Sequence, residues 1–120
     1  MELASRDVKR VSLELGGKNP NIIFADCDFE RALSTTLLSS FSNQGEICLC
    51  GSRVFVQRPV YERFVNGLVE RTRAMRVGDP LREDTVIGAM ISESHLMKVQ
   101  EYISLAQQEG GERLTGGNRV

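Results

Sequence analysis

The chain has 120 residues, 41% hydrophobic and 26% charged, which is enough for one domain with a core and too little for two. Fifteen Lys and Arg against 16 Asp and Glu leave a net charge of −1, which excludes a broad field for recruiting nucleic acid or acidic lipid, and no apolar run reaches the roughly 18 residues that a membrane span needs. Three cysteines, Cys27, Cys48 and Cys50, are too few for a disulfide framework. A four-ligand zinc set would have to draw on all three thiols and on His95, the only histidine and far away in sequence, so no metal site is expected and the thiols are expected free, in the cytosol.

The first fifteen residues include Glu2 and Asp7 and no continuous apolar stretch, unlike a secretory leader. Residues 9–15, KRVSLEL, alternate polar and apolar and predict a strand. Beyond the Gly16-Gly17 pair, Asn21 to Ala25 predict a second, more continuously apolar strand. Asp28 suits a helix N-cap. After it, Phe29, Ala32, Leu33, Leu37, Leu38 and Phe41 recur at helical spacing, predicting a helix that ends near Asn43 and buries one stripe.

Ser52 to Gln57 predict another strand, and Pro59 suits the first turn of a helix with Val60, Phe64, Leu68 and Met75 inward and Glu62, Asn66 and Arg73 in solvent. The Gly78-Asp79-Pro80 turn leads to Ser92, the expected cap of a third helix. Its Leu96, Val99, Ile103 and Ala106 are expected to face the core before Gly110 stops it, and Glu112 to Thr115 predict a last short strand. Alternating strands and helices predict an α/β fold, a largely parallel sheet flanked by helices that cover both of its faces.

Two short segments hold residues suited to chemistry. Cys48 falls between a predicted helix end and a predicted strand, where loops on rigid elements present reactive groups, and Gly45 opens backbone conformations closed to other residues. Glu14 falls at the predicted strand end beside Gly16 and Gly17; a carboxylate withdrawn there from bulk water is a base near neutral pH. Taken singly, each has a more ordinary explanation: a buried structural cysteine, and a glutamate in a solvated turn.

Taken together, Glu14-Leu15-Gly16-Gly17-Lys18 and Asn43-Gln44-Gly45-Glu46-Ile47-Cys48 resemble the two signature segments of the aldehyde dehydrogenase superfamily, at a fitting separation of 34 residues between Glu14 and Cys48. The likeness extends through ADCDFERAL, SRVFVQ and VGDPL into the helix after Ile91, covering nearly the whole chain. It implies a partial catalytic domain over residues 1–120. In that reading Cys48 is the nucleophile, Cys50 a bystander and Glu14 the base for the hydrolytic water. Leu15 and Gly16 are the backbone that borders the nicotinamide of NAD or NADP, and Asn43, Gln44 and Gly45 shape the nucleophile's loop.

The implied reaction is oxidation of a small-molecule aldehyde to a carboxylic acid through a thiohemiacetal and a thioester. Cys48-Leu49-Cys50 and the residues before it look most like the branch that oxidises muconic semialdehydes. The resemblance also implies a homo-oligomer, with no nucleic-acid or membrane partner. Several family features have no counterpart here: an upstream oxyanion asparagine, a later glutamate on the nicotinamide ribose, and a phosphate-binding glycine turn such as G-x-G-x-x-G. The chain is therefore expected to be a fragment of a longer enzyme, with the cofactor bound mainly by residues outside it.

His95 and Lys98 fall on the helix that approaches the cofactor ribose in relatives, although an exposed capping-turn histidine and a solvated lysine are the simpler readings. Two rivals stand beside the dehydrogenase. A thiol hydrolase would need a histidine near Cys48, and the sequence places none there. A truncated, non-catalytic subunit would act only in association with partner chains, through unpaired strand edges.

Overall fold

A two-stranded parallel ladder is too small to exclude water by itself, so its stability depends on what covers it. The structure, a computed structural model, describes residues 1–120 and places such a ladder at its centre. Strand β1 (Pro20–Ile23) pairs with β2 (Arg53–Val56), Asn21 opposite Val54 and Ile23 opposite Val56. Parallel pairing demands a crossover, supplied by helix α2 (Phe29–Phe41). Ahead of the ladder lies a short helix α1 (Glu2–Arg6); beyond it, a 3₁₀ turn at Arg58–Val60 containing Pro59 leads into α3 (Tyr61–Ala74), and α4 (Glu93–Gln108) follows later.

The period-two geometry of strands puts Ile23, Val54 and Val56 on the covered face and turns Ile22 and Phe55 outward, where both are exposed. Leu33 of α2 and Phe64 of α3 close over Ile23 to form the core, with Cys27, Phe29, Ala32 and Leu68 packed around them. Phe29 meets Phe64 edge to face, ring centroids 5.9 Å apart, while the Arg63 guanidinium lies 3.8 Å over the Phe29 ring. Gly67 lets the helices approach: a Cβ there would come within 3.0 Å of a Leu33 methyl. At the rim, Arg71 pairs with Glu30 and donates to Ser34 Oγ at 2.9 Å, tying α3 to α2.

Local signals placed these elements well. Asp28 caps α2, its carboxylate accepting from the Arg31 N–H at 3.1 Å, and Ser92 caps α4, its hydroxyl accepting from the His95 N–H at 3.2 Å. Glu62, Asn66 and Arg73 face solvent. Gly110, at φ +92°, ends α4 in the left-handed conformation, and the Gly111 N–H returns to the Ala106 carbonyl at 2.8 Å.

Four expectations are corrected. Residues 9–15 do not form a strand; they run as an extended arm, and no residue from 10 to 18 makes a backbone hydrogen bond. Their alternation records two chemically different faces, but a strand also needs a neighbour to pair its N–H and C=O groups, and none lies alongside. Residues 112–115 lack a partner in the same way. Leu38, assigned to the inner stripe of α2, is 69% exposed, while Thr36 takes a buried place by accepting from Asn21 Nδ2 at 3.0 Å. Helix α4 buries none of its residues: Leu96, Val99 and Ile103 are half-buried and Ala106 is exposed.

The arm and α4 leave a large surface. The accessible area is 9736 Å², against about 6,500 Å² for a compact protein of this mass, and the radius of gyration is 17.7 Å, against about 14 Å for this length. No helix is long and apolar enough to cross a membrane. Because Leu33 is the keystone of the core and Leu38 lies outside it, Leu33→Ala is expected to cost about 3 kcal/mol and Leu38→Ala less than about 0.5 kcal/mol. Urea denaturation measures both; equal losses would show that the core lies elsewhere.

Candidate active site

Helix α2 stops at Phe41 because the chain then turns sharply away. Ser42 Oγ donates to the Leu38 carbonyl at 2.6 Å, and three successive residues, Asn43 (φ +49°), Gln44 (φ +58°) and Gly45 (φ +77°), adopt the left-handed conformation. Glycine accepts that region freely, but each of the other two costs about 1 kcal/mol or more, so the surroundings must hold them. They do so at several points. The Glu46 N–H donates to the Asn43 carbonyl at 3.0 Å, Gln44 Nε2 donates to the Ala89 carbonyl at 3.3 Å, and Glu46 Oε1 lies 3.0 Å from His95 Nε2.

Residues Ile47 to Cys50 then form a turn closed by the Cys50 N–H donating to the Ile47 carbonyl at 2.9 Å. Cys48 occupies its first central position and is exposed, Cys27 is half-buried and Cys50 is buried. The Cys50 thiol points back toward α2 and sits 3.8 Å from the Ser42 carbonyl, a weak donor satisfied inside the protein. Next to it, the Gly51 N–H donates to the Ser39 carbonyl at 2.9 Å, and the Gly51 carbonyl accepts from Ser40 Oγ at 3.1 Å. A Cβ at Gly51 would come within 3.0 Å of Ser39 Oγ, so the loop lies directly against the last turn of α2.

The residue that follows the first signature segment reaches this loop. Asn19 Nδ2 donates to the Cys48 carbonyl at 2.8 Å and to the Cys50 carbonyl at 3.1 Å, while the Asn19 carbonyl accepts from the Arg53 N–H at 3.2 Å. Glu14, Leu15 and Gly16 lie in the extended arm, all exposed, and Glu14 forms no ion pair. The strand end expected to present Glu14 is thus absent, and no hydrogen bond joins Glu14 to Cys48. A Cβ on Gly16 would meet nothing within 4 Å, leaving that stretch open to a ligand.

Asn43, Gln44 and Gly45 supply the left-handed reversal with which the loop begins. Asn19 was missed, although its position offered a signal: the residue before a proline is held extended, and a carboxamide so held has two donors to place. His95 is in the capping turn, and its ring also contacts the loop at Glu46; Lys98 is exposed.

The aldehyde dehydrogenase family model matches residues 1–120. The chain is 50% identical over 119 residues to 4-trimethylaminobutyraldehyde dehydrogenase A of Danio rerio, covering 99% of this chain and 23% of that protein. It is 55% identical over 111 residues to 2-aminomuconic semialdehyde dehydrogenase of the same organism, covering 92% and 23%. Among solved structures, betaine aldehyde dehydrogenase of Staphylococcus aureus in complex with NAD+ superposes with a TM-score of 0.90 at 38% identity, covering 99% of this chain and 24% of that one. The chain thus spans about a quarter of the length of the proteins it matches.

Gly45 is the hinge of the loop: a Cβ there would lie 2.9 Å from the Ser40 carbonyl, in a conformation that already disfavours one. Gly45→Ala is expected to lower stability by about 2 kcal/mol and to release the loop from α2. The readout is alkylation: Cys50 should react faster while Cys27 keeps its rate. Undiminished protection of Cys50 would mean the loop does not depend on this hinge.

Proposed function

The chain belongs to the aldehyde dehydrogenase family, and from that premise we propose that residues 1–120 are a partial catalytic domain whose parent enzyme oxidises an aldehyde to a carboxylic acid with NAD or NADP, Cys48 acting as nucleophile and Glu14 as base. The observation that carries this reading is the contrast between two cysteines two residues apart. Cys50 is buried as packing, whereas Cys48 stands exposed on a turn pinned from two sides.

The Cys48 thiolate adds to the aldehyde carbon, forming a C–S bond and placing negative charge on the former carbonyl oxygen. The Cys48 N–H donates to no acceptor within the chain, so it is free to meet that oxyanion. Leu15 and Gly16, whose backbone is open, would border the nicotinamide, which would supply the two-electron oxidation of that carbon and so leave Cys48 carrying a thioester. Glu14 then takes a proton from water, the hydroxide adds to the thioester carbon, and the C–S bond breaks to release the acid and the thiolate. The arm that holds Glu14 and Gly16 makes no backbone hydrogen bonds of its own, which leaves both accessible. NAD use is supported by the NAD+ complex of the Staphylococcus relative. Relatives named for two different aldehydes match at 50% and 55% identity, which supports an aldehyde substrate without choosing between them.

The excess apolar surface favours a second reading, in which this chain acts only within an assembly that covers it. Leu3, Leu15, Ile22, Phe24, Phe55 and Tyr102 are all more than half exposed. In that case sedimentation of the 120-residue chain should show self-association that grows with concentration; a monomer throughout would remove this reading.

The dehydrogenase is tested in the full-length polypeptide. Cys48→Ser is expected to lower aldehyde-dependent NAD(P)H formation by at least about a thousandfold, since a serine hydroxyl at neutral pH is a far weaker nucleophile. Glu14→Gln should slow steady-state turnover yet keep a first burst of reduced cofactor, because hydride leaves before water attacks. Full activity in Cys48→Ser would overturn the assignment.

A further inference from the structure

We propose that Asn19 is a positioning residue for Cys48, its side-chain amide holding the nucleophile's turn in one orientation; this rests on the reading of Cys48 as nucleophile. In a four-residue turn the peptide unit between the two central residues has no partner inside the turn, and rotation of that unit interconverts the common turn types. In the Ile47–Cys50 turn this is the peptide whose oxygen belongs to Cys48. Asn19 Nδ2 holds that oxygen at 2.8 Å and reaches the Cys50 oxygen at 3.1 Å, so both donors of one amide are spent on the two sides of the turn.

A flip of that peptide would swing the backbone at Cys48 and carry Leu49 into positive φ, a conformation it does not occupy here. The amide blocks the flip from outside, and its own position is fixed twice. Pro20 restricts the Asn19 backbone to extended conformations, and the Asn19 carbonyl accepts from the Arg53 N–H at 3.2 Å, beside the pair at which the ladder begins, Pro20 opposite Arg53. Strand register is thereby transmitted to the nucleophile through a single side chain. No other side chain donates to the Cys48 carbonyl.

Chemical demands match this geometry. A reacting atom misplaced by about 1 Å can cost a hundredfold in rate, so a turn with two orientations would spend part of its time unproductive. Glutamine is one methylene too long to span both oxygens from the same backbone, and aspartate would face them with a like charge.

The experiment uses the full-length polypeptide with Asn19→Ala and Asn19→Asp, measuring the burst rate of reduced cofactor, the KM for aldehyde, and alkylation of each cysteine. Asn19→Ala is expected to slow the burst about tenfold with little change in KM, while Cys50 stays protected. Asn19→Asp should be slow at neutral pH and regain part of the deficit relative to the unsubstituted enzyme as pH falls, because only the protonated acid can donate to the Cys48 carbonyl. A burst at the unsubstituted rate in Asn19→Ala would overturn the proposal. So would a loss accompanied by rapid alkylation of Cys50 in both variants, which marks general loosening rather than misorientation. Either result is separate from the fate of the parent reading, which falls only if Cys48→Ser keeps full activity.

Discussion

Leu33 and Phe64 meet over Ile23 to form the hydrophobic core on which the rest of this chain depends. Burying side chains of this size contributes about 2–3 kcal/mol each, and little else in the molecule offers a comparable gain. The ladder alone, four residues on each strand, would not persist in water. Its covered face is held by the two helices, and the helices are held by the ladder. Where α2 ends, and hence where the Cys48 loop begins, follows from this packing, because α2 is placed by Leu33 and by Thr36 accepting from Asn21.

From that anchor the constraints pass outward in a definite order. The last turn of α2 receives the loop through Ser39, Ser40 and Ser42, which engage Gly51 and the Cys50 thiol. Three left-handed residues reverse the chain at a cost that only a surrounded loop can bear, and Gln44 and Glu46 fasten them to residues near α4. Helix α4 contributes little to the core, yet its N-terminal turn supplies His95 at the loop. An element that looks peripheral in burial is therefore adjacent to the candidate chemistry.

Much of this was legible in sequence because it is local. Capping by Asp28 and Ser92 needs only a short polar side chain next to an apolar period, and the helix stop at Gly110 needs only a residue that accepts positive φ. The arm at 9–15 and the segment at 112–115 were misread for one shared reason: alternation reports what the two faces want, while a strand exists only if another strand completes its hydrogen bonds. Leu38 was misassigned because a helical stripe read by eye is wider than the contact that α3 and the ladder supply. The signature segments pointed to Cys48 and Glu14 as residues, but the hydrogen bond from Asn19 to the Cys48 carbonyl joins positions 29 residues apart and emerges only in three dimensions.

Cys48 and Cys50 show how a turn separates two side chains that the strand after it would keep together. Side chains along a strand alternate faces, so residues two apart would share one environment and one fate. Across the Ile47–Cys50 turn they diverge: Cys50 closes the turn and is buried, whereas Cys48 is exposed. The buried thiol is shielded from solvent, and the exposed one is open to it. Burial of one cysteine and presentation of the other are thus two consequences of the same turn, and any substitution that loosens Cys50 should blur the distinction between them.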